Sequence, residues 1–285
     1  MFEAAFMRVA LVASIAASVP LSVIGVYLVV RRVVFLGLVL ANAATVGAAV
    51  AQAFGWAPEF VSLIAALAAA LGMGVLPVPR HISTESAIGW AYAAAASLTV
   101  LILAGTAAAD ADTVHLLYGN VLAVSSSHAT GLVGVALAIG TVHILFGPRF
   151  LLITFDAEAA HVAGVHTRLW SVGLNLSIGV AAAVAVHEIG VLLTFSLMTL
   201  APMASLLISR RVRTTFVVAA LIGIASVFGG LALAFRLDLP PGPVSVGLLV
   251  LGVMAAALVS RFIGDGGSPS PVRSNDHNAR TSARR

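Results

Sequence analysis

The chain has 285 residues, of which 60% are hydrophobic and 9% charged, whereas an ordinary soluble domain carries about a quarter charged residues. Such a composition excludes a water-soluble fold, and apolar runs of about 20 residues, enough to cross roughly 30 Å of hydrocarbon, recur from end to end. The formal net charge of +4 comes from basic residues that are all arginine, set singly or in pairs between apolar runs, so they read as topology signals and not as a nucleic-acid surface.

No stretch alternates polar and apolar residues as a membrane barrel would. The fold class expected is therefore all-α: a polytopic helical transmembrane bundle of about nine spans, eight being possible. The apolar runs cover residues 9–30, 33–54, 60–76, 87–106, 129–147, 168–186, 188–208, 215–235 and 244–262. The first run has no small-residue cleavage site and is expected to be a retained helix. Residues 1–263 form the membrane domain, and residues 264–285, rich in Ser, Pro and Arg, read as a disordered tail. Short breaks at Arg31-Arg32 and His187-Glu188 leave the span count least certain.

In chain order, Asn42 lies mid-span and is expected to face the bundle, either lining a path or bonding a neighbouring helix. The segment 110–127 is too polar to span and too apolar for a plain loop; it reads as a surface helix or a connector. Between the fifth and sixth runs, Arg149 to Arg168 concentrates charge, small residues and a glycine. Asp156 and Glu158 would sit in the favourable first turn of a short helix there. Its Ala159, Ala160, Ala163 and Gly164 would offer a surface of low bulk to a groove on another protein.

His187 and Glu188 are the most conspicuous polar pair in a long apolar stretch, either facing an ion path or marking a solvated turn. Asp110, Asp112, Asp238 and His115 read as loop charges able to attract cations, whereas His128, His143, His161 and His166 read as packing, capping or surface groups. Pro202 is expected to kink the seventh run, and the 240–243 stretch reads as a rigid turn. Placing the arginine-rich breaks inside puts the N-terminus outside and the C-terminus in the cytoplasm.

Phe155-Asp-x-Glu-x-Ala-x-x-x-Gly164 resembles the loop by which permeases of the zinc, manganese and iron ABC importers dock on their ATPase. Four further stretches follow in the family's order: Arg31 to Gly37, Glu85 to Gly89, Leu116 to Leu122, and Gly190-Val-Leu-Leu through Pro202 and Ala204. Taken together, the chain resembles the membrane subunit of that family over roughly residues 6–262. The resemblance implies an inner-membrane, multi-pass subunit that moves a divalent metal ion and binds no cofactor itself. It further implies ATP on a cytoplasmic ABC ATPase subunit, an extracytoplasmic metal-binding protein and a second permease copy. Its coupling contact falls on Phe155, Asp156, Glu158, Ala159 and Gly164. The family's second-span Asp and His are replaced here by Leu38 and Asn42, which removes the ligands suited to zinc or manganese and leaves a hard amide oxygen. The ion path is therefore assigned to Asn42, His187 and Glu188.

Three other functions compete. A membrane metalloprotease would need a second His four residues after His187, where Val191 stands. An ion-coupled secondary transporter and a non-transporting scaffold each leave the 155–164 loop without a reason. Without lysine the chain has no Walker A phosphate loop, and without cysteine no thiolate ligand.

Overall fold

The computed structural model describes residues 5–76, 81–105 and 124–264, and all regular structure among them is helical. In order these are α1 (Ala5–Val30), α2 (Val34–Phe54), α3 (Pro58–Val75), α4 (Thr84–Ala104), α5 (Ser126–Phe155), α6 (Ala157–Val162), α7 (Thr167–Ile208), α8 (Val212–Leu237) and α9 (Pro241–Gly264). Eight of them are long and apolar enough to cross a membrane.

Local signals explain the boundaries. Gly55 closes α2 in a left-handed conformation and Pro58 opens α3. Ser83 caps α4 by accepting from the Ser86 amide, and Ser125 caps α5 by accepting from the His128 amide. The expected 110–127 element and the Leu116 to Leu122 stretch lie largely outside the described residues, as do Arg80, Asp110, Asp112, His115 and the 265–285 tail.

The 42 residues of α7 would measure about 63 Å if straight, twice the hydrocarbon thickness. The helix instead breaks at Gly190, whose φ of 77° and ψ of 165° lie outside any helical region. Contacts show that it folds back. Arg31 Nη2 donates to Ser171 Oγ at 2.8 Å and Arg168 Nη2 to the Val75 carbonyl at 2.7 Å, so the start of α7 lies at the arginine end of α1 and α3. His187 meets Ser62 at the opposite end of α3, and Leu206 and Ser209 return to line a cavity with Val26 and Val30. α7 is thus two antiparallel spans, giving the expected nine crossings from eight long helices. The break expected between the sixth and seventh runs at His187-Glu188 falls at Gly190, and Pro202 lies within the helical second half of α7.

Both halves of α7 form the core, touching α1, α2, α3, α5, α8 and α9. In hydrocarbon no hydrophobic force pulls helices together, so close packing of small residues does so. Ala44, Ala66 and Ala183 provide it where α2, α3 and α7 meet. Thr45 and Thr99 share a 3.1 Å hydrogen bond that ties α4 to α2.

Candidate functional site

At the end of the bundle opposite the arginines, four ionisable side chains from three helices converge on the α7 turn. Glu188 Oε1 lies 2.9 Å from His128 Nδ1 at the start of α5, and His128 Nε2 lies 4.0 Å from Glu59 Oε1 in the first turn of α3. His187 turns the other way and meets Ser62 Oγ at 2.8 Å. A cavity of about 290 Å³ lies among Glu59, His128, His187 and Glu188. Glu188 is sheltered, its side chain 12% exposed, whereas His128 and Glu59 are at least half exposed. The arrangement sets two carboxylates and two imidazoles beside the apolar side chains of Phe60, Leu63, Leu132 and Val135. It does not make a finished metal centre: among the described residues no three His or carboxylate groups have ligating geometry.

Asn42 is not part of this cluster. It is buried in α2, and its Nδ2 donates to the Leu38 carbonyl at 2.9 Å, one turn back. That bond uses one of the amide's two N–H donors, and the side-chain oxygen is the atom chemically able to meet a cation. His143, expected to pack, is buried with Nδ1 on the Ile139 carbonyl and its ring 5.5 Å from Tyr27.

At the arginine end, the loop between α5 and α7 forms the six-residue helix α6. Asp156 caps it, its Oδ1 accepting from the Ala159 amide at 2.8 Å. Gly164 ends it at φ 78°, a left-handed conformation that lets the Val165 amide reach the Ala160 carbonyl. Phe155, Glu158, Ala159, Val162 and Gly164 are exposed, with Val162 at 88%. Ala160, expected on the outward surface, is fully buried and pins the helix to the bundle instead. His161 and His166 are exposed, as expected.

The model of the ABC 3 transport family matches residues 3–260. The chain belongs to that family. It is similar to the manganese transport system membrane protein MntC of Halalkalibacterium halodurans, 26% identical over 83% of this chain and 81% of that protein. It is likewise similar to the manganese import system permease protein ScaB of Streptococcus parasanguinis, 23% identical over 90% of each. Its fold matches a chain of PsaBC from Streptococcus pneumoniae, solved in complex with Fab, at a TM-score of 0.82 and 19% identity, covering 93% of this chain and 96% of that one. The resemblance carried by the 155–164 loop and the four shorter stretches is borne out for family and fold.

For an ABC 3 chain, two features of the site were not legible in its sequence. Glu59 stands just outside an apolar run, and His128 opens another, so each reads alone as a boundary residue. Only the antiparallel fold of α7 brings Glu188 to them across separations of 60 residues and more. The available signal was weak: each of the three is a polar residue at the same end of its span.

Proposed function

We propose that this ABC 3 chain is the membrane permease subunit of an ABC transporter moving divalent metal ions of the zinc or manganese class, powered by a separate ATPase subunit. The observation that carries the reading is the family match over residues 3–260 together with a capped, exposed loop helix at one end of the bundle. Curated relatives named as manganese transport membrane proteins support the choice of cargo.

Arg31, Arg149, Arg168, Arg210 and Arg211 gather at the α6 end by their contacts with Ser171, Trp170, Val75 and Val30. The excess of arginine in short loops makes that end cytoplasmic, with the N-terminus outside and the C-terminus inside a bacterial inner membrane. The Glu188 end then faces an extracytoplasmic metal-binding protein. Glu188 and Glu59 raise the local cation concentration there, and His187 and His128 supply imidazole as the ion sheds water. Asn42 supplies an amide oxygen deeper in the path, assisted by a second permease copy across the pathway. The surface from Phe155 through Asp156, Glu158 and Ala159 to Gly164 sits in a groove of the ATPase subunit. ATP-driven closure of that subunit moves α6 and alternates access. The chain itself binds no nucleotide, since it holds no phosphate-loop lysine.

The test is uptake by vesicles holding the permease together with its cognate ABC ATPase subunit and metal-binding protein. ATP-dependent accumulation of manganese or zinc is expected. Failure of both ions to accumulate, with the complex intact, removes the assignment, as does ATP hydrolysis by the isolated chain.

A further inference from the structure

A second cavity, at the arginine end, lies apart from the ion path and is bordered on one side by Phe155, the first residue of the coupling surface. It holds about 180 Å³ and lies on α1 between α5 and the start of α8. Its floor is Tyr27, whose ring is 6.2 Å from Phe150 of α5 and 5.1 Å from Phe216 of α8. Leu151 and Leu206 give it apolar walls, and Arg210 and Arg211, both exposed, form its rim.

Two further atoms there lack what their chemistry requires. Ser209 and Thr154 both line the cavity, and the hydroxyl oxygen of each is buried without a hydrogen-bond partner among the described residues. A buried hydroxyl in that state lacks the acceptor its O–H calls for, and an incoming oxyanion can supply one. Beside them, α8 begins at Val212, also on the cavity wall, with no side-chain cap from Arg211. Its first amides and its dipole favour a negative group at that point. Two guanidiniums, two unpartnered hydroxyls and an uncapped helix start thus converge above an apolar slot. This combination matches a molecule that is anionic at one end and apolar along its length.

We infer that this cavity binds an anionic phospholipid, its phosphate held by Arg210, Arg211, Ser209 and Thr154 and an acyl chain lying over Tyr27. Basic pockets between membrane helices at the headgroup level bind acidic lipids by the same combination of fields and contacts. The inference is independent of the transported ion, because it uses none of the groups assigned to the path.

The test uses the purified full-length chain in detergent, titrated with dioleoyl phosphatidylglycerol or dioleoyl phosphatidylcholine and followed by native mass spectrometry and thermal melting. A preference for phosphatidylglycerol on the order of tenfold is expected. Arg210→Gln with Arg211→Gln should bring it close to one, whereas Arg213→Gln, outside the cavity lining, should preserve it. Leu206→Trp fills the slot and leaves every charge in place; it should weaken phosphatidylglycerol retention without altering helix content. Equal retention of both lipids by the unaltered chain overturns the proposal. So does equal stabilisation by inorganic phosphate in phosphatidylcholine, which would indicate a free-oxyanion site. Loss of ATPase-subunit binding in the double variant at unchanged lipid preference would assign the face to a protein contact and likewise overturn it.

Discussion

Gly190 sits where almost no residue with a Cβ is found, at φ 77° and ψ 165°, and it is buried in the turn that splits α7. Its place in the Gly-Val-Leu-Leu stretch therefore has a backbone cause. Gly190→Ala should destabilise the protein by about 1–3 kcal/mol, visible as a lower melting temperature in detergent; an unaltered melting curve would contradict the strained turn. Glu188 poses a different question, because its 2.9 Å contact with His128 is partly open to solvent. Because the His128 side is half exposed, solvent screening keeps the pair's contribution on the order of 1 kcal/mol. Glu188→Gln should accordingly leave membrane abundance unchanged and lower ion uptake severalfold, and Asn42→Leu should do the same from the interior. If uptake is normal in both variants and in His187→Ala, the path lies elsewhere and the permease reading still stands.

At the scale of elements, α6 is too short to be stable by itself, since helices under about 12 residues are marginal in water. Its shape depends on three attachments: the Asp156 cap, burial of Ala160 and the left-handed Gly164. Asp156→Ala should cost about 1 kcal/mol, confined to this loop, and raise its amide exchange while the spans keep theirs. Gly164→Leu combines a conformational penalty with added bulk on an exposed face. Glu158→Arg reverses a charge that the helix N-terminus favours. Both are expected to reduce co-purification of the ATPase subunit and uptake together. Normal values of both quantities in both variants would rule out coupling through this helix. The loop was legible in sequence because three ionisable residues in six positions, Asp156, Glu158 and His161, cannot stay in hydrocarbon. The inward facing of Ala160 was not, because alanine carries no polarity to mark its side.

For the whole molecule, nine crossings with the contact-placed loop arginines at one end support the proposed N-outside, C-inside topology. Absence of cysteine makes the test direct, since a single introduced thiol is the only one present. Trp56→Cys, in the exposed turn between α2 and α3, should react with an impermeant maleimide added to intact cells. Val162→Cys, on α6, should react only after the membrane is opened. The reverse pattern would invert the bundle.

The sequence by itself determined the membrane class, the positions of nine apolar runs and the polar loop between the fifth and sixth. These follow from hydropathy and charge, which are properties of contiguous residues. It also located His187 and Glu188 as an exception within an apolar stretch. The tertiary structure alone decided that Glu188 pairs with His128 near Glu59, that His187 binds Ser62 instead, and that Asn42 stays on its own helix. It also decided that Tyr27 floors a slot rimmed by Arg210 and Arg211. Those outcomes depend on the angular position of each side chain around its helix and on which helices adjoin. In a chain this uniformly apolar, the polar periodicity that would reveal a helix's inward face is largely missing, so packing of small residues settles it.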